Sequence, residues 1–173
     1  MPELKQHKTM LQRFVRKRMW YYVITNIIFN TAFAYFCFYK FNAVYLFEGG
    51  QNMARLMLPM SFLLPFMLTF DMLKKTMLQV DQGNIDITLS EDLNRNRFIF
   101  QMAGINGIST FLPVFALMLA VNMSLPDHYK FDALFLSIVD GLMAGLYSVI
   151  FTFLPIRKLK KHLRKEVQQP VSV

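Results

Sequence analysis

Asp140 is the residue in this sequence with the sharpest chemical potential, because it sits in an apolar run, about Phe131 to Leu154, that holds no Lys or Arg. A carboxylate near the centre of a bilayer costs roughly 2.5 to 3.5 kcal/mol on insertion scales, so it requires a partner or water. Two uses fit that requirement. One is a contact for an ion, proton or substrate facing a bundle interior; the other is a structural acid hydrogen-bonded between helices. Asn30, Asn106, Ser109 and Thr110 lie at comparable depth in other apolar runs and would converge on Asp140 if the runs bundle, with Asn26 one turn from Asn30. Such groups equally serve as hydrogen-bonding glue between membrane helices. Asp71 stands beside Lys74 and Lys75, placed for local pairing.

Asp140 borders a stripe of small residues. Ser137, Gly141, Gly145, Ser148 and Thr152 recur at helical spacing and include a GxxxG pair, a pattern that lets two backbones approach closely. Gly141, Gly145 and Ser148 are therefore helix-packing candidates, against a helix of the same chain or a second copy.

Other chemistry is thinly supported. His7, His128 and His162 fall outside the apolar runs, so none meets a nucleophile there, and no HExxH motif or paired cysteines occur. The one cysteine, Cys37, lies in an apolar run and reads as a small hydrophobe. Asp81, Asp86, Glu91 and Asp92 make one stretch acidic but lack EF-hand spacing, so a solvated linker is expected. No catalytic residue, metal or cofactor is expected.

The elements that must position these side chains follow from composition. Hydrophobic residues make up 54% of the 173 and charged residues 17%, against about a quarter charged in a typical soluble domain. Four runs reach the roughly 20 residues needed to cross about 30 Å of hydrocarbon: about Met19 to Tyr39, Leu56 to Leu73, Phe98 to Val121 and Phe131 to Leu154. They are apolar on all sides and too long for membrane strands. Pro59, Pro65 and Pro113 read as kinks. The first run exceeds a secretory h-region and no small-residue cleavage site follows, so it is expected to remain as a signal anchor.

Charge sets the expected orientation. Of the 19 Lys and Arg, all but Lys40, Arg55 and Lys130 lie before the first run, between the second and third, or after the fourth. The positive-inside rule then places both termini and the central loop in the cytoplasm. The net charge of +8 therefore points to anionic headgroups, with Arg16, Lys17, Arg18, Lys160 and Lys161 as the contacts, and no nucleic-acid motif accompanies it. Leu4, Leu11, Phe14 and Val15 share one face of the first arm, as in a helix lying on a leaflet. Gln82-Gly83-Asn84 signals a turn, and Thr88-Leu89-Ser90-Glu91 resembles a capping box for the third helix.

The expected fold is all-α, an integral membrane four-helix bundle of two tandem transmembrane hairpins. The units are a basic amphipathic arm (1–18), a first hairpin (19–75), a linker (76–97), a second hairpin (98–156) and a basic tail (157–173). Both halves run from a basic residue through two apolar segments to Lys-Lys, at Lys74-Lys75 and Lys160-Lys161. The ending Phe153-Leu154-Pro155-Ile156-Arg157-Lys158-Leu159 resembles a family of small bacterial two-helix inner-membrane proteins to which no activity is assigned. The likeness covers about Arg97 to Leu163 and is poorer in the first half, where Thr69 stands at the position of Pro155. It implies a tandem duplication in the plasma (inner) membrane and no catalytic residue.

The expected function is a non-enzymatic, multi-pass membrane-embedded partner, scaffold or regulatory subunit. The alternative is a small oligomeric transporter or channel for an ion or small solute, with Asp140 in the polar path. The sequence admits both a homo-oligomer and a protein partner in the membrane.

Overall fold

The computed structural model describes residues 2–41, 44–50, 52–85, 94–126 and 128–168, with side chains described between residues 10 and 160. The described chain is all-helical: α1 (Pro2–Phe38), α2 (Met53–Asp81), α3 (Arg95–Ser124) and α4 (Ala133–Gln168). All four helices are long and apolar enough to cross a membrane. At 1.5 Å per residue the 37 residues of α1 and the 36 of α4 each span about 55 Å, well beyond a hydrocarbon slab of about 30 Å.

The basic arm and tail are continuations of these two helices. α1 runs unbroken through the boundary expected at residue 18, and α4 through that at residue 156. Leu11 and Val15, each 4% exposed, belong to the core cluster rather than to a separate surface helix. Apolar contact with the end of α4 offers them more burial than a leaflet surface would.

Helix pairing departs from two side-by-side hairpins. α1 packs along α4, α4 also touches α2, and α2 packs along α3, whereas α1 and α2, or α3 and α4, share no comparable seam among the described residues. The packing order is α1–α4–α2–α3, so each half lends its first helix to the second helix of the other. Glycines explain the choice. A Cβ at Gly141 would collide with Thr31 Oγ1 and come within 3.0 Å of the Ile27 carbonyl on α1; one at Gly145 would lie 2.7 Å from the Ile27 side chain. On the other seam, a Cβ at Gly107 of α3 would sit 3.0 Å from the ring and carbonyl of Phe62 on α2. These backbones approach as closely as the missing side chains allow, in the small-residue manner of membrane helices.

The two loops at the end away from the termini are joined to each other. Val44 and Phe131 exchange backbone hydrogen bonds of 3.1 and 3.0 Å. Glu48 and His128 meet at 2.7 Å. Asn52 organises the first of these loops: its side chain accepts from Arg55 N, capping α2, and donates to the carbonyls of Phe47 and Gly49. At the other end, the expected turn forms at Gln82-Gly83-Asn84, with Gly83 at φ 70°, a conformation that favours glycine. Asp81 and Arg95 close that loop with a forked ion pair. The expected capping box at 88–91 lies outside the described residues, as do Asp86, Glu91 and Asp92; the observed cap of α3 is Asn94.

Candidate functional site

Asp140 and Tyr147 lie two turns apart on α4 and are 1% and 4% exposed. Neither carboxylate oxygen nor the Tyr147 hydroxyl has a hydrogen-bond partner among the described residues. Helix geometry puts both on one face, since seven residues bring the helix back to nearly the same azimuth. In a low-dielectric setting such groups are costly to leave unmatched.

The other polar residues do not converge on Asp140. Depth is one reason. Asp140 is seven residues from the start of α4, about 10 Å below the looped end, whereas Asn106 is 18 residues from the end of α3, about 27 Å below it. Asn106 instead donates to Thr69 Oγ1 at 3.0 Å and accepts from Lys158 Nζ at 3.0 Å, tying α2, α3 and α4 together. Asn30 shares the depth of Asp140 but donates to the Asn26 carbonyl of its own helix and lines a groove between α1 and α2. Thr110 bonds back to the Asn106 carbonyl, and Ser109 is exposed.

The stripe on α4 faces α1. Ser148 accepts from Asn26 Nδ2 at 2.8 Å and itself donates to Ala144 O, beside the close approaches at Gly141 and Gly145. This face is therefore occupied within the chain. Asp71 pairs with Lys75 at 2.6 Å and accepts from the Tyr22 hydroxyl, bridging α1 and α2 near the termini. Sequence reasoning missed Tyr22, Asn52, Thr69 and Lys158 as partners. Lys158 looked like one more charge of a basic end, and only its reach into the α2–α3 seam distinguishes it.

Two open spaces adjoin these elements. The groove between α1 and α2, of about 390 Å³, carries Asn26 and Asn30 on one wall and Pro59, Met60, Leu63 and Met67 on the other. A larger cleft of about 620 Å³ lies between the first part of α1 and the last part of α4. Among the expected headgroup contacts, Arg16 and Lys160 line that cleft, Lys17 is exposed beside it, Arg18 stacks over Phe14, and the Lys161 side chain lies outside the described residues. Among the described residues no group of three or more His, Cys, Asp or Glu gathers as a metal site would need. Compared with protein-family models, with curated proteins and with solved structures, the chain finds no match.

Proposed function

We propose that the chain is an integral protein of the plasma (inner) membrane, with both termini cytoplasmic, that acts without catalysis as a membrane-embedded partner or regulatory subunit. Four apolar helices and the gathering of Arg and Lys at the end that carries the termini support the placement. The cross-paired packing, in which α1 on α4 mirrors α3 on α2, supports the tandem duplication and the likeness to two-helix inner-membrane proteins.

The observation that carries the partner role is the groove between α1 and α2. A closed bundle would fill it, yet here it is open along about three turns of α2 and holds the Asn30 amide at the level of the span. Such an amide stabilises association when a neighbouring helix supplies a donor. The occupant is a transmembrane helix of a partner protein. A photo-crosslinking residue in place of Leu63, in native membranes, should give one adduct of defined mass that weakens when Asn30 becomes Leu, while the same probe at lipid-facing Phe135 gives none. An adduct of twice the chain's mass would replace the partner by a second copy. Lipid adducts alone would refute the reading.

A second reading, transport of an ion or small solute, draws on Asp140 and Tyr147, whose polar atoms lack partners in the described structure. Asp140→Asn separates the two: lost flux in proteoliposomes with assembly intact supports transport, whereas intact flux, or no flux in the parent protein, removes it.

A further inference from the structure

The cleft between α1 and α4 combines an apolar floor with a basic rim. Its floor is built from Leu11, Val15 and Met19 on α1 and Phe153 and Ile156 on α4. Its rim carries Arg13 and Arg16 on one helix and Arg157 and Lys160 on the other, and among the described residues no carboxylate lines it. None of these four cations makes an ion pair among the described residues. Three nearby cations are engaged elsewhere, Arg18 over the Phe14 ring, Lys158 at Asn106 and Lys75 at Asp71, while Lys17 is exposed.

The spacing is informative. Arg13 and Arg16, like Arg157 and Lys160, are three residues apart, so each helix presents two cations one turn apart. Four like charges around one concavity repel each other and are relieved by an anion. Two pairs on opposite walls suit two phosphates, each met by at least one guanidinium fork, a geometry that favours phosphate. A free anion would use the rim and leave the floor bare. Met19 and Phe153 are the lining residues nearest the spans, so an acyl chain entering from the bilayer would cover the floor while its headgroup meets the rim.

We propose that this cleft is a binding site for a phospholipid with two phosphates, held by Arg13, Arg16, Arg157 and Lys160 with its chains on the α1–α4 floor. Basic pockets of this kind between membrane helices are suited to such headgroups. The proposal rests on the chain being membrane-embedded and adds a defined site to a general affinity for anionic leaflets.

The test uses the full chain in nanodiscs of phosphatidylcholine that contain either cardiolipin or phosphatidylglycerol as a minor component, matched in total charge. Bound lipid is counted after extraction. The protein should retain cardiolipin at least about tenfold over phosphatidylglycerol. Arg13→Gln with Arg157→Gln should remove that preference, whereas Lys74→Gln with Arg97→Gln, an equal loss of charge from exposed side chains that do not line the cleft, should keep it. Equal effects of both double variants would overturn the site in favour of diffuse attraction. Displacement of the lipid by inorganic pyrophosphate at similar concentration would overturn it in favour of a free-anion site. Failure to enter nanodiscs would instead refute the membrane reading itself.

Discussion

Replacing Gly141 by Ala tests the α1–α4 seam most sharply, provided it is compared with Gly104→Ala. Both positions are inside long apolar helices, so the intrinsic gain of Ala over Gly, up to about 1 kcal/mol, is common to the two and cancels in the difference. What remains is the local surroundings. A Cβ at Gly104 meets nothing within 4 Å, whereas one at Gly141 collides with Thr31 Oγ1 and comes within 3.0 Å of the Ile27 carbonyl. Thr31 can rotate, but the carbonyl belongs to α1 and yields only if the helix backs away. Overpacking of this kind costs about 1 to 3 kcal/mol, so Gly141→Ala should be less stable than Gly104→Ala by that amount, up to about a hundredfold in the unfolding equilibrium. Denaturation in detergent micelles with a mild-to-harsh detergent titration reads the difference. Equal stability of the two variants would refute the placement of α1 against this face.

Three further outcomes follow from the same contacts. Lys158→Met removes the donor to the buried Asn106 Oδ1 and should destabilise the protein by about 1 to 3 kcal/mol, with most of the effect vanishing in an Asn106→Leu background, as a double-mutant cycle would read. Asn52→Ala loses both the α2 cap and the carbonyl partners of the loop, and should cost about 1 to 2 kcal/mol in the same assay. Arg95→Gln breaks an exposed ion pair with Asp81 and should change stability by less than about 1 kcal/mol.

The helices were legible because their signal is local: runs of 20 or so apolar residues without Lys or Arg leave little choice of structure in hydrocarbon. The small-residue stripe was legible for the same reason, since Gly141, Gly145 and Ser148 declare one face of one helix. Its partner was not. Neighbouring lipid and neighbouring helix are equally apolar, so no pattern in α1 says that Ile27 and Thr31 seat on those glycines rather than on α2. Connectivity suggested hairpins, and close backbone approach chose other neighbours. The convergence on Asp140 failed because depth was judged from apolar runs alone. α4 continues well past Leu154, which leaves Asp140 nearer the looped end, while Asn106 lies nearer the other end and within reach of Lys158.

Cross-pairing is the claim on which the site geometry depends, and disulfide formation in native membranes tests it directly. In a Cys37→Ala background, Asn26→Cys with Ser148→Cys should cross-link within one chain under mild oxidant, because those side chains meet at 2.8 Å and a disulfide needs Cα atoms within about 7 Å. Asn30→Cys with Leu63→Cys, facing each other across the open groove, should stay reduced. Ready cross-linking of the second pair with none in the first would mean that the two halves pack as separate hairpins and would contradict the account.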